Sequence, residues 1–310
     1  MSALDGVMRE AAATLARAGV PSPRVDAESL LAHVLGMPLA HLRRATLLGE
    51  QVAGGDRAAY QELVEQRAAR IPLQHLTGVA HFAGLALRVG PGVFVPRPET
   101  EVLVELAVSE LDGLAGQDLP AGAAAEPVVV DLCTGSGAIA LAVKSRHPRA
   151  RMHAVELSVP AHAWARRNVT ATGLEVDLRL GPAHEAFEDL VGRVHVVLSN
   201  PPYIPPGAVP TDPEVREHDP DLALYGGGRD GLSVPRAVAA RAAELLVDGG
   251  VLLMEHAATQ GDALLRALRA TGRWRLVEDH RDLAGLPRVT RAVRGDLTDP
   301  RRTGRRGPVG

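Results

Sequence analysis

Residues 128 to 140 read Val128-Val129-Val130-Asp131-Leu132-Cys133-Thr134-Gly135-Ser136-Gly137-Ala138-Ile139-Ala140. An apolar, β-branched run enters a turn of small residues, and the chain resumes as a helix. Gly135 and Gly137 let the main chain approach a ligand closely, and free amides at the helix start favour a negatively charged group. Glu156 closes the next strand-like run, where a carboxylate is placed to accept hydrogen bonds from the two hydroxyls of a ribose. The pair points to a nucleoside-containing cofactor without choosing one, because Gly135-x-Gly137-x-x-Ala140 also meets the loose dinucleotide fingerprint. A tight strand-to-helix turn that binds nothing is the plain alternative.

Beyond this stretch, strands alternate with helices. Val128 to Leu132, Arg151 to Val155, Val176 to Leu180, Val194 to Ser199 and Val251 to Glu255 are strand-like, and helical stretches follow most of them. Such alternation predicts an α/β fold with a largely parallel sheet, helices on both faces and ligands outside the carboxyl ends of the strands. Trp274 to Glu278 and Arg288 to Arg294 are read as an antiparallel edge pair completing a seven-stranded, Rossmann-like sheet of the class I methyltransferase type.

Val196 to Ser199 leads into Asn200-Pro201-Pro202-Tyr203, a buried strand stopped by two prolines. A planar amide or amino nitrogen is a poor nucleophile because its lone pair is delocalised. The Asn200 side-chain oxygen and the Pro201 carbonyl can accept its two N–H hydrogens, which points the lone pair at an incoming methyl and needs no strong base. The same acceptors stabilise the positive charge that develops on nitrogen. Pro201 and Pro202 restrict the backbone and cannot continue the sheet, and Tyr203 can pack on the planar group. A proline-rich turn after a core strand is the bland reading.

Toward the N-terminus, apolar residues recur at helical spacing from Leu4 to about Arg70, with Gly19, Gly36 and Gly54-Gly55 as stops and Ser22 and Asp26 as plausible caps. Val79 to Phe82, Leu85 to Val89 and Val93 to Val95, broken by glycines, predict a β-hairpin. Pro98 stands at a first helical turn, with Glu99 and Glu101 suited to a helix N-terminus, and that helix is expected to reach about Leu111. The Gly/Ala/Pro-rich stretch from Gly113 to Pro127 reads as a surface loop. The resulting division is a helical domain over 1–71, a hairpin linker over 72–97, a catalytic domain over 98–297 and a basic tail over 298–310 with a disordered composition.

The 310 residues are 46% hydrophobic and 23% charged, ordinary values for a folded protein. A net charge of −3 argues against binding nucleic acid through the overall field. Cys133 is the only cysteine, which excludes an intramolecular disulfide and a thiolate metal cluster. The scattered histidines show no metal-ligand spacing. Met1 to Arg9 lacks the order of a signal peptide, and no run reaches the roughly 18 apolar residues of a membrane span, so a cytoplasmic protein is expected. Cys133 has no paired histidine and is read as a small buried residue. His218, beside Glu217, Asp219 and Asp221, is read as solvated loop charge. Arg97, Glu99 and Glu101 either line a cleft or cap the helix.

The chain resembles the release-factor glutamine methyltransferase family, PrmC or HemK. The resemblance rests on the glycine turn, Asn200 to Tyr203, Pro72-Leu73-Gln74-His75 with Gly78, and Phe94-Val95-Pro96-Arg97-Pro98-Glu99-Thr100-Glu101. Farther on it includes Pro220, Ala223-Leu224, Gly226-Gly227, Asp230-Gly231-Leu232, Gly249-Gly250, Glu255 and Gln260. It implies a helical N-terminal domain, a hairpin linker and a methyltransferase domain. It also implies methylation, from S-adenosylmethionine, of the glutamine side chain in the Gly-Gly-Gln loop of class I peptide-chain release factors by a monomer. By the same resemblance, Asp131, Cys133, Thr134, Gly135, Ser136, Gly137, Glu156 and Asn200 contact the cofactor, and Asn200 to Tyr203 hold the amide. Cys133 stands where the family usually has glycine, Glu156 where aspartate is common, Gly181-Pro182-Ala183 where an acidic or aromatic residue often meets adenine, and His256-Ala257 where Ile-Gly is usual. The rival readings are an N6-adenine methyltransferase of DNA or RNA, a nicotinamide-dependent dehydrogenase and a binding module without activity. The first lacks an evident target-recognition domain, and the second leaves Asn200 to Tyr203 unexplained.

Overall fold

The computed structural model describes residues 2–115 and 126–295. The tail expected over 298–310 and most of the loop expected over 113–127 lie outside the described residues. The chain divides into two compact units, one formed by residues 1–80, 88–95 and 209–219, the other by 81–87, 96–208 and 220–310.

In the first unit, β1 (Ser2–Ala3) pairs with β2 (Gln51–Val52), and around this small ribbon stand α1 (Leu4–Arg17), α2 (Pro23–Val34), α3 (Leu39–Leu47), α4 (Gly54–Ala68) and the short α5 (Leu73–Thr77). The helical spacing read from the sequence becomes one apolar core of Leu4, Val7, Leu15, Leu30, Leu31, Leu42, Tyr60 and Val64, with the Tyr60 hydroxyl donating to the Ala27 carbonyl at 3.0 Å. Gly19 and Gly36 end their helices at φ +73° and +61°, the left-handed conformation that favours glycine. Gly54 and Gly55, by contrast, open α4 rather than stopping a helix.

Asp26 is no cap. It is buried and accepts from Arg67 Nε at 2.7 Å, while Arg67 Nη1 meets Glu214 Oε1 at 2.7 Å and Arg70 grips the same Glu214 through Nε at 2.8 Å. Glu214 belongs to α9 (Pro213–His218), an element the charge pattern there does not announce. Asp219 is also buried, not solvated as its acidic neighbours suggest. A buried carboxylate is tolerated when it is paired this way, and the two arginines hold the Glu214 carboxyl well below its ordinary range.

In the second unit, β5 (Val128–Leu132), β6 (Arg151–Glu156), β7 (Val176–Leu180), β8 (Val194–Ser199), β9 (Leu246–Glu255), β10 (Trp274–Arg281) and β11 (Pro287–Arg294) form a seven-stranded sheet in the order β10-β11-β9-β8-β5-β6-β7. The pairs from β9 to β7 are parallel, and β10 and β11 are antiparallel. That is the predicted sheet with its antiparallel edge.

Because successive side chains of a strand face opposite ways, an unbroken apolar strand requires cover on both faces. Val130 and Leu132 pack against α11 (Ser233–Leu245) and α12 (Gly261–Ala270). Val129, the residue before Val130, faces the other core with Leu103, Val104 and Ala107 of α6 (Glu101–Ala115) and Ile139 and Leu141 of α7 (Ala138–Arg146). Each such side chain contributes roughly 1.5–3 kcal/mol by leaving water. The helix α8 (Val159–Thr172) completes the crossover from β6 to β7, and α10 (Asp221–Leu224) is a single turn.

The hairpin expected between the domains is present as β3 (Val79–Phe82) and β4 (Leu85–Arg88), but Val93 to Val95 adds no strand. Pro98 to Thr100 forms a 3-10 turn leading into α6, which runs four residues past Leu111 to Ala115. Among the described residues, no helix is long and apolar enough to cross a membrane.

Candidate active site

Two turns leave adjacent strands at one edge of the sheet. Leu132 of β5 is in register with Ser199 of β8 on one side and with Val155 of β6 on the other, so Cys133, Asn200 and Glu156 begin side by side. Parallel pairing thus brings together the three places that the sequence marked separately.

The first turn is shaped by its own main chain. Thr134 N donates to the Val155 carbonyl at 3.0 Å and Gly137 N to the Thr134 carbonyl at 2.9 Å. Gly135 is left-handed at φ +58°, a Cβ there would meet open space, and its amide donates to Glu156 Oε2 at 2.8 Å. Gly137 is left-handed at φ +82°, which favours glycine, and a Cβ there would stand in ordinary contact with Leu141 and Ala165. Asn168 of α8 secures the Ser136 carbonyl at 2.9 Å. Cys133 is left-handed as well, at φ +67°, a conformation costing a non-glycine residue about 1 kcal/mol. Burial pushes its thiol up, away from the reactive thiolate.

Asp131 is fully buried and accepts from Thr134 Oγ1 at 2.6 Å through Oδ2, while Oδ1 has no hydrogen bond of ordinary geometry and the Ala140 amide acts on the carboxylate. Burial pushes its carboxyl up to about 7, against the pull of Thr134. Glu156 accepts from the amides of Gly135 and Ser158 (2.7 Å), and burial raises it despite those bonds. The main chain of Gly181 is tied to the same place, donating to the Glu156 carbonyl at 2.9 Å.

The second turn is shaped by distant side chains. Asn200 Nδ2 donates to Thr100 Oγ1 at 3.4 Å. The Tyr203 hydroxyl donates to Glu255 Oε1 at 3.3 Å, and Gln260 Nε2 reaches the Tyr203 and Asp230 carbonyls at 2.8 and 2.7 Å. Tyr203 N and Ile204 N both donate to the Leu224 carbonyl. Gly226 and Gly231 lie under the turn, and a Cβ on either would overlap its backbone.

Thr100, Glu255 and Gln260 are therefore part of this site, and the turn's own sequence gives no sign of them. Burial is the first cause that sets Glu255, pushing it up to about 7. Of the acidic residues before α6, Glu101 accepts from Ala83 N at 2.9 Å and so braces the hairpin turn. The charge of Glu99 acts on Glu255 and that of Arg97 on Tyr203. His256 is fully buried against Asp279 at 3.2 Å, a packing role.

A seven-stranded sheet of this order, carrying a glycine turn and an Asn-Pro-Pro-Tyr turn on neighbouring strands, defines a class I methyltransferase fold. The structure is similar to the hMettl16 catalytic domain, solved in complex with the MAT2A 3′UTR hairpin 6, with a TM-score of 0.52 and 15% identity over 77% of this chain and 83% of that one; the likeness concerns the fold alone. Family profiles match residues 7–78 (PrmC N-terminal domain) and 117–212 (Methyltransferase small domain). A release factor glutamine methyltransferase of Streptomyces coelicolor is 48% identical over 94% of this chain and 98% of its own. A 4-amino-L-phenylalanine/4-methylamino-L-phenylalanine methyltransferase of Streptomyces pristinaespiralis is 39% identical over 87% of this chain and 89% of its own. The chain belongs to the release factor glutamine methyltransferase family.

Proposed function

We propose that this protein transfers a methyl group from S-adenosylmethionine to the side-chain amide nitrogen, N5, of the glutamine in the Gly-Gly-Gln motif of class I peptide-chain release factors. The observation that carries the reading is the Asn200 amide, whose Nδ2 is committed to Thr100 and whose Oδ1 is left to accept. With the Pro201 carbonyl beside it, Oδ1 takes the two N–H groups of the acceptor amide, turns its lone pair toward the methyl carbon and gains strength as positive charge gathers on nitrogen. Tyr203 sets the plane of the acceptor, and Pro202 keeps the turn from rejoining the sheet.

Asp131, Cys133, Thr134, Gly135, Ser136, Gly137, Glu156 and Asn200 would hold the cofactor. They fit such a group: the space over Gly135 is open, and the Glu156 carboxylate stands beside it at the end of β6. When bound, S-adenosylmethionine supplies the methyl as an activated sulfonium carbon. Residues 1–71 are proposed to hold the body of the release factor, 72–97 to link, and 98–297 to catalyse, in a cytoplasmic monomer that contacts no nucleic acid directly.

An aromatic amine is the second reading, since one relative is named for two aminophenylalanines and adenine N6 presents the same chemistry. A competition assay with radiolabelled methyl, offering release factor, 4-aminophenylalanine and duplex DNA together, tests the choice. Label confined to the release factor supports the proposal, and label on either amine overturns it.

A further inference from the structure

We infer that Thr100 and Glu255 are positioning residues for the transfer, acting through the Asn200 amide and the Tyr203 ring; the inference deepens the proposed function and rests on it. Three separate segments meet here. Thr100 ends the 3-10 turn before α6, Asn200 and Tyr203 lie beyond β8, and Glu255 closes β9; Thr100 and Glu255 are each 3% exposed. Asn200 Nδ2 donates to Thr100 Oγ1 at 3.4 Å, the Thr100 hydroxyl lies close enough to act on the Glu255 carboxylate without a hydrogen bond of ordinary geometry, and the Tyr203 hydroxyl donates to Oε1 of that carboxylate at 3.3 Å. Oε2 has no partner of ordinary geometry.

The sense of the chain follows from counting protons. An ionised carboxylate only accepts, so Thr100 must give Glu255 its one hydroxyl proton. The Thr100 lone pairs then face Asn200 and accept only the amide's NH2 side. An Asn200 amide turned by half a revolution would set its oxygen against those lone pairs. Oδ1 is thereby held on the side where the acceptor's N–H groups must bind. Tyr203 hangs on the same carboxylate, so the amide acceptor and the aromatic wall are aligned by one group.

A carboxylate buried at a strand end contributes little to folding, because losing its hydration costs more than weak hydrogen bonds return. Its presence is accounted for by the orientation it imposes. Around it stand Tyr203, Arg288 of β11, which is ion-paired with Asp282, and Glu99; Arg288 favours the charged form, and Glu99 opposes it. As pH falls through about 7, Glu255 takes up a proton and becomes a donor. Thr100 is then free to turn its proton toward Asn200, and the amide loses its fixed sense.

The test measures kcat and KM across pH with full-length protein, saturating S-adenosylmethionine and a purified class I release factor. The variants are Thr100→Val, Thr100→Ser and Glu255→Gln, with Asn200→Ala as control. Thr100→Val is expected to lower kcat roughly tenfold or more, with KM for the release factor changed little, because a misaligned acceptor slows the step without releasing the substrate. Thr100→Ser, which keeps the hydroxyl, is expected to restore the rate. Glu255→Gln is expected to lower kcat and to abolish the loss of rate on the acid side of neutrality. Wild-type kcat in Thr100→Val, or an unchanged acid limb in a folded Glu255→Gln, overturns the inference. If Glu255→Gln does not fold, the Thr100 pair decides alone. An inactive Asn200→Ala beside an unaffected Thr100→Val refutes the relay and spares the proposed function; a fully active Asn200→Ala refutes both.

Discussion

The glycine turn after β5 and the proline turn after β8 leave neighbouring strands and are built in opposite ways. Residues 133–137 are held by amides and carbonyls of their own loop and of the adjoining strand, and by side chains of the adjacent β5, β6 and α8 (Asp131, Glu156 and Asn168), with glycine at the left-handed positions 135 and 137. Residues 200–203 have lost two amides to proline, and side chains drawn from residues 100, 255 and 260 supply what the main chain cannot. A turn that binds a constant cofactor can be held by the elements next to it. A turn that must hold an acceptor amide in one plane is braced from three directions, and its accuracy depends on all of them.

The contrast is most easily broken from beneath the proline turn. Gly226→Ala would drive a methyl group into the Gly231 carbonyl and to 2.5 Å from the Pro202 carbonyl, atoms of backbone that cannot step aside. We expect a loss of several kcal/mol in stability, read by thermal melting, together with loss of activity. Asn200→Ala comes next: with cofactor saturating, the rate should fall by about two to three orders of magnitude, the range for losing one preorganised polar group at a developing charge, while the melting temperature barely moves. Gln260→Ala leaves the Tyr203 and Asp230 carbonyls without their shared donor, and about 1 kcal/mol of stability should go, measured by denaturant titration.

The smallest effect sharpens the comparison from the other side. Cys133→Gly removes left-handed strain from the glycine turn but frees the unfolded chain, and the two nearly cancel. A stabilisation of at most about 1 kcal/mol is expected, with cofactor affinity measured by calorimetry retained. Substantial loss of stability would mean that the Cys133 side chain, not the backbone of its turn, holds that place.

Much of this was legible before the structure. The alternation of apolar runs and helical stretches is a local property, and it fixed the sheet, its parallel core and its antiparallel edge. Asp131 to Gly137, Glu156 and Asn200 to Tyr203 announce themselves because turns at strand ends carry unusual residues in short spans. Thr100 and Gln260 were marked only by the family resemblance and given no role there, since a threonine before a helix and a glutamine after a strand are ordinary, and only the fold sets them beside Asn200 and Tyr203. Asp26 and the surroundings of His218 were misread for a related reason: Asp26 looks like a cap until Arg67 arrives from α4, and His218 looks like solvated loop charge until α9 forms and half-buries it.

The measurement that tests the central claim most directly is mass spectrometry of a purified class I release factor incubated with this protein and S-adenosylmethionine, with Asn200→Ala run in parallel. The account predicts a single added methyl on the glutamine of the Gly-Gly-Gln motif, absent with the variant. An unmodified glutamine despite demonstrated cofactor binding, or a methyl that persists with Asn200→Ala, would contradict it.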